Sequence, residues 1–179
     1  MENQDEILDN NVTQPINNIE EQKIINLNKF IILCITSFGL YPIWWIYKAW
    51  RFYQQKENLD IVPAARAIFS IFFLTSLFNK ILSFAKEKGY GENFSSIGLF
   101  IGFFIGNFLA KLPDPFWMIS ILSFVFLIPP FKALNYAKQN SNEFVVTEQT
   151  SFSGRQIGLI VVGIIFLGLV LLGLTIGDE

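Results

Sequence analysis

The chain has 179 residues, a formal net charge of −2 and no histidine. The charge balance leaves no basic excess of the kind that grips nucleic acid, and the missing histidine excludes Ser-His and Cys-His nucleophilic systems and His-ligated zinc or haem. Apolar residues make up 52% and aromatics 16%, with 20 phenylalanines, more than a soluble domain of this length needs for a core.

Most of the charge lies between five apolar blocks, at about residues 30–50, 64–85, 94–111, 115–137 and 156–177. A bilayer core about 30 Å thick needs about 20 apolar residues of helix. The expected fold is therefore all-α, a polytopic helical membrane protein with four or five membrane helices over residues 29–179. Residues 1–28 are acidic and rich in Asn, Gln and Glu. They lack the positive n-region and apolar h-region of a signal peptide. They carry too little apolar surface to offset the entropy of ordering, which predicts a disordered tail.

The first block holds the sole cysteine, Cys34, so no intramolecular disulfide can form. Gly39 and Pro42 stand near its middle. A proline inside a helix removes a donor and clashes with the preceding turn, which predicts a kinked span. The alternative is a re-entrant hairpin of two half-helices, tolerated where protein covers the freed backbone groups. Tyr41, Trp44, Trp45, Tyr47, Lys48, Trp50 and Arg51 follow. Aromatic rings with embedded cations suit the headgroup level, so this cluster is expected to be an interfacial anchor. An aromatic-walled groove for a lipid or other ligand is the alternative.

Pro63 stands where a second helix can start. A helix of about 25 residues from there would be about 37 Å long. Arg66 and Lys80 lie near its ends, and ionisable residues at membrane depth are site candidates unless they snorkel to phosphates. The third block carries Gly98, Gly102 and Gly106, with Asn107 beside them. This small-residue stripe is a helix-packing surface, within the chain or between copies. The prolines at 113 and 115 make a tight turn that pairs the third and fourth blocks as an antiparallel hairpin. The fourth block breaks at Pro129-Pro130 and continues amphipathically to Lys138. In the last block, Gly158, Gly163, Gly168 and Gly173 recur every five residues, which spreads them around the helix instead of forming one stripe. Residues 78–86 resemble 131–138, a weak internal repeat of a long helix, a polar loop and a Gly-rich span.

Two topologies compete. Five crossings with a cytoplasmic N-terminus, the working expectation, leave eight Lys and Arg inside and five outside. If the first two blocks both return to the cytoplasm, the count becomes twelve against one, with Lys111 alone outside. The positive-inside rule favours the second arrangement. The lengths of the blocks and the repeat favour the first.

Thr36-x-x-Gly39-x-Tyr41-x-x-x-Trp45-x-Tyr47-Lys48 resembles the opening helix of a group of uncharacterised small bacterial membrane proteins, catalogued as domains of unknown function. The similarity covers about residues 30–84. It implies a multi-pass protein of a bacterial inner membrane, and it brings no activity, cofactor or catalytic residue.

No catalytic residue, metal site or cofactor motif is assigned. No Asp or Glu lies inside a block, which argues against a carboxylate ion relay. The leading expectation is a non-enzymatic scaffold or accessory subunit of the cell envelope. Its partners would be the lipid bilayer and itself or another membrane protein, with no nucleic acid. The alternative is a small channel or carrier for lipid or an uncharged solute.

Overall fold

The computed structural model describes residues 19–114 and 116–176. Its elements are β1 (Gln22–Ile24), α1 (Leu27–Thr36), α2 (Leu40–Glu57), α3 (Pro63–Ile68), α4 (Ser70–Glu87), α5 (Ser96–Phe108), α6 (Ile128–Gln139), β2 (Val146–Glu148) and α7 (Gly154–Ile176). A 3-10 turn, Leu109–Lys111, extends α5, and a 3-10 helix, Phe116–Leu127, runs into α6. The chain is thus mostly helical. Among the described residues two helices are long and apolar enough to cross a membrane, Phe116–Gln139 and Gly154–Gly173.

The expected tail at residues 1–28 is too long. Its first 18 residues lie outside the described ones, but β1 pairs in parallel with β2, Gln22 opposite Val146 and Ile24 opposite Glu148. Ile24 and Ile25 are buried. Asn26 then caps α1 by accepting the Lys29 amide at 2.9 Å, a standard way to start a helix.

The first apolar block turns back on itself instead of forming one kinked span. Phe30, near the start of α1, lies 6.1 Å from the Tyr41 ring and 6.0 Å from the Trp45 ring on α2. Fifteen residues of continuous helix would separate Phe30 and Trp45 by about 22 Å. The reversal is made at Phe38 and Gly39, both at positive φ (51° and 88°). Ser37 bridges the two helix ends. Its hydroxyl accepts the Tyr41 amide at 2.9 Å and donates to the Cys34 carbonyl at 3.4 Å, serving backbone groups that helix termini leave unpaired. Pro42 falls in the first turn of α2, where its missing amide has no helical partner to lose. It marks a start where the sequence suggested a kink.

The second block also divides. Instead of one helix of about 25 residues, α3 and α4 meet at Phe69. The Arg66 guanidinium on α3 sits 4.5 Å from the Trp50 ring of α2 and 5.0 Å from the Phe73 ring of α4. It clamps the three helices across the break by cation–π attraction.

The hairpin expected from the third and fourth blocks is present, and the glycine stripe is used inside it. A Cβ on Gly102 would come within 2.8 Å of Phe126 Cζ, and one on Gly106 within 2.8 Å of Ser123 Cβ. The missing side chains are what let the 3-10 helix lie against α5. At 12 residues it far exceeds the usual 3-10 length. Pro129 and Pro130 occupy the first turn of α6, so two amides that would continue the 3-10 ladder are missing where the geometry changes to α.

The core lies between α1, α2, α4 and α6. Phe30 stacks on Phe131 at 4.1 Å, and Trp50, Phe52, Leu77, Phe78 and Ile81 are no more than 1% exposed. The two stretches of the expected repeat lie in α4 and α6, which pack together. Polar groups gather at one end. Glu143 accepts from both Lys56 and Lys88 (Lys88 at 2.7 Å), and Lys80 pairs with Glu57 at 2.5 Å. The C-terminal ends of α2 and α4 and the loop after α6 are thereby tied into one platform beside the β1–β2 pair.

Candidate functional site

The seven anchor residues divide by helical face. Tyr41, Trp45 and Trp50 are buried at 8%, 8% and 0% exposure, so they are core residues and not interfacial ones. Trp44, Tyr47, Lys48 and Arg51 form the outer stripe at i, i+3, i+4 and i+7. The Trp44 and Tyr47 rings lie 5.1 Å apart, and Arg51 donates to the Tyr47 hydroxyl at 3.2 Å. Arg51 also pairs with Glu20.

The other predicted residues separate as well. Gly102 and Gly106 pack as described, whereas Gly98 meets only Ser95 of its own turn. Asn107 is exposed and donates to Phe103 O of its own helix at 2.8 Å. It takes no part in the glycine contact. Arg66 is engaged with Trp50 and Phe73, and Lys80 with Glu57, so neither is a free intramembrane charge. Gly163, which no stripe singled out, is the close contact of α7. A Cβ there would lie 2.7 Å from the Thr36 carbonyl carbon and nearer still to its oxygen. Phe38 and Phe166 meet edge to face beside it, 4.7 Å apart.

A cavity of about 330 Å³ opens between β1, the outer stripe of α2, α6 and the start of α7. Tyr41, Trp44 and Trp45 form its aromatic wall, and Gln22, Asn135, Gln149 and Gln156 its polar one. Asn135 is fixed by donating to Ile25 O at 2.9 Å. The Gln156 amide oxygen accepts from Gln149 Nε2 at 2.6 Å and from the Ser153 amide at 2.8 Å. A second, more open recess of about 500 Å³ shares Tyr41, Trp44 and Gln156 with the cavity. It continues over Leu40 and Leu159, with Arg155 also in its lining.

Lys138 is the cation the sequence reading passed over. It is 7% exposed; its ammonium donates to Gln22 Oε1 at 2.9 Å and lies 4.5 Å from the Phe52 ring centroid. A signal was available, because Lys138 falls at i+7 from Phe131 and i+4 from Leu134, on the buried face of α6. A lysine at a core position of an amphipathic helix is uncommon unless it is paired. No protein-family model matches the chain, and no curated protein or solved structure matches it either.

Proposed function

We propose that this is an integral membrane protein that binds lipid without covalent chemistry, with the polar part of the molecule in the cavity and its apolar part in the recess. The observation that carries this reading is the shared wall of Tyr41, Trp44 and Gln156. A polar chamber that gives onto an apolar one matches an amphiphile and not a freely soluble metabolite. One motive for the scaffold reading, the glycine stripe, is taken up within the chain, since Gly102 and Gly106 pack against Phe126 and Ser123. The carrier reading takes its place.

In the proposed topology all five apolar blocks enter the membrane and three helical stretches cross it: Ser96–Lys111, Phe116–Gln139 and α7. The α1–α2 hairpin and the α3–α4 segment enter and leave on the cytoplasmic side. The charge count of twelve against one supports this arrangement. So does the platform, which ties Lys56, Lys88 and Glu143 together. In this proposed topology the cavity lies at the cytoplasmic leaflet and the recess between α2 and α7 lies within it.

The test is extraction and mass spectrometry of the lipid that stays with the purified protein. Wild type is expected to retain lipid after exhaustive detergent exchange, and Leu159→Trp, which fills the recess, to lose it while melting normally. Equal retention by both proteins would overturn the assignment of the recess.

A further inference from the structure

We infer that the cavity selects an anionic phosphate headgroup, held between Lys48 and Lys138; this rests on the lipid-binding reading. Three lysines, Lys23, Lys48 and Lys138, are among the residues lining the cavity, against one acidic residue, Glu21. That carboxylate already accepts from the Thr147 hydroxyl at 2.8 Å. Lys138 is 93% buried (7% exposed). Among the described residues its polar partner is a neutral amide, and no carboxylate lies within ion-pair distance. Lys48 lines the same cavity.

A buried charge without a counter-charge is costly, and a second like charge facing it adds to the cost. Three of the four ion pairs in the described part of the molecule satisfy their lysines elsewhere, at Lys56, Lys80 and Lys88. The chain therefore has carboxylates available for pairing and places none against Lys138. An anion entering the cavity supplies the missing charge. A phosphate offers oxygens to both ammoniums at once, in charge-assisted hydrogen bonds that are the stronger kind. Asn135 and Gln149 offer neutral polar groups for a glycerol or similar substituent. Arg155 at the recess adds a further cation for a lipid whose phosphate rides higher.

The same phosphate chemistry occurs in a lipid headgroup and in a soluble phosphate ester. The apolar continuation over Leu40 and Leu159 favours the lipid.

The test uses the full chain, delipidated in a neutral detergent, with tryptophan fluorescence as the readout. Trp44 and Trp45 line the cavity, and Trp44 the recess as well, so lipids with brominated chains quench them on binding. Brominated phosphatidylglycerol is expected to quench at about tenfold lower concentration than brominated phosphatidylcholine, whose choline cation offsets the phosphate charge and meets the lysines as a like charge. Lys138→Met and Lys48→Gln should each reduce that ratio toward one, with the larger loss of affinity on phosphatidylglycerol. Lys48 is exposed, so its variant reports even if the buried substitution fails to fold.

Equal quenching by the two lipids in wild type would overturn the headgroup assignment and leave lipid binding standing. Absence of quenching by either, with no fluorescence shift from glycerol 3-phosphate, would overturn both. Glycerol 3-phosphate that shifts the fluorescence while neither lipid quenches would support the anion site and overturn the lipid as its source.

Discussion

Replacing Gly163 by alanine should destabilise the protein, while the same change at Gly158 or Gly168 on the same helix should stabilise it. At Gly163 the hydrogen that a Cβ would replace points at the Thr36 carbonyl, whose carbon would lie 2.7 Å from the new atom. Carbon atoms pack best at about 3.5–4.0 Å, so α7 would have to move about 1 Å away from α1. The obstacle is backbone, which cannot rotate aside. Overpacking of this kind costs about 1–3 kcal/mol, with the upper end expected here. Alanine returns at most about 1 kcal/mol of helix propensity, leaving a loss of about 2 kcal/mol. At about 2–4 °C per kcal/mol for a chain this long, the melting midpoint should fall by about 4–8 °C. A Cβ on Gly158 or Gly168 meets nothing within 4 Å, so those variants should gain up to about 1 kcal/mol, or about 2–4 °C. Cys34 provides the assay. It is the only thiol in the chain and is 0% exposed, so a thiol-reactive fluorophore lights up only as the protein opens. A Gly163→Ala midpoint that rises along with the other two would refute the close α1–α7 approach.

Gly39→Ala should cost about 1–2 kcal/mol although nothing crowds the site, because an L-residue pays for the left-handed conformation that φ of 88° imposes; Gly39→Asn should cost less, and equal thermal midpoints for the two variants would count against a strained turn. The Glu143 carboxyl is held below the ordinary carboxylate range by hydrogen bonds from Lys56 and Lys88. Its folded value lies below its unfolded one, so its contribution is full above about pH 4.3 and is lost as pH falls through the folded value. Tryptophan-fluorescence melts at about pH 6 and about pH 3.5 should therefore differ less in Glu143→Gln than in wild type, and an identical pH response would remove the carboxylate from the platform. With Cys34 changed to Ser, single cysteines at Asn58, Gly91 and Ser141 should label from one side of the membrane and one at Asp114 from the other. Labelling of position 58 from the Asp114 side would restore the five-crossing topology.

The parts of the fold that were legible from sequence are those fixed by local chemistry. The Gly102–Gly106 spacing, the turn before the fourth block, the start at Pro63 and the proline pair at 129–130 each constrain the backbone within a few residues. The reversal at Phe38–Gly39 was visible only as an alternative. Gly39 and Pro42 read equally as a kink or as the end of one helix and the start of the next, and Ser37, which serves both ends, carries no distinguishing pattern. The division at Phe69 left no local trace, and the contacts beside it, from Arg66 to Trp50 and Phe73, reach two other helices. The cavity was legible only in part. Its aromatic wall stood out as a cluster, yet burial of Tyr41, Trp45 and Trp50 depends on α1 folding back, and Lys138 joins them from 97 residues after Tyr41.

The 3-10 helix and α5 share a measure. Three residues of 3-10 helix rise about 6 Å, and so do four residues of α-helix. Phe126 over Gly102 and Ser123 over Gly106 are thus successive teeth of two commensurate racks. Gly98 and Gly106 present the same bare backbone one tooth to either side of Gly102, so shape alone does not select the seat that Phe126 takes. Registration falls to the short link after Lys111, where Trp117 Nε1 donates to Asp114 Oδ1 at 2.8 Å. The pair behaves as a vernier with its stop at one end, and lengthening that link frees the two scales to slide by whole steps.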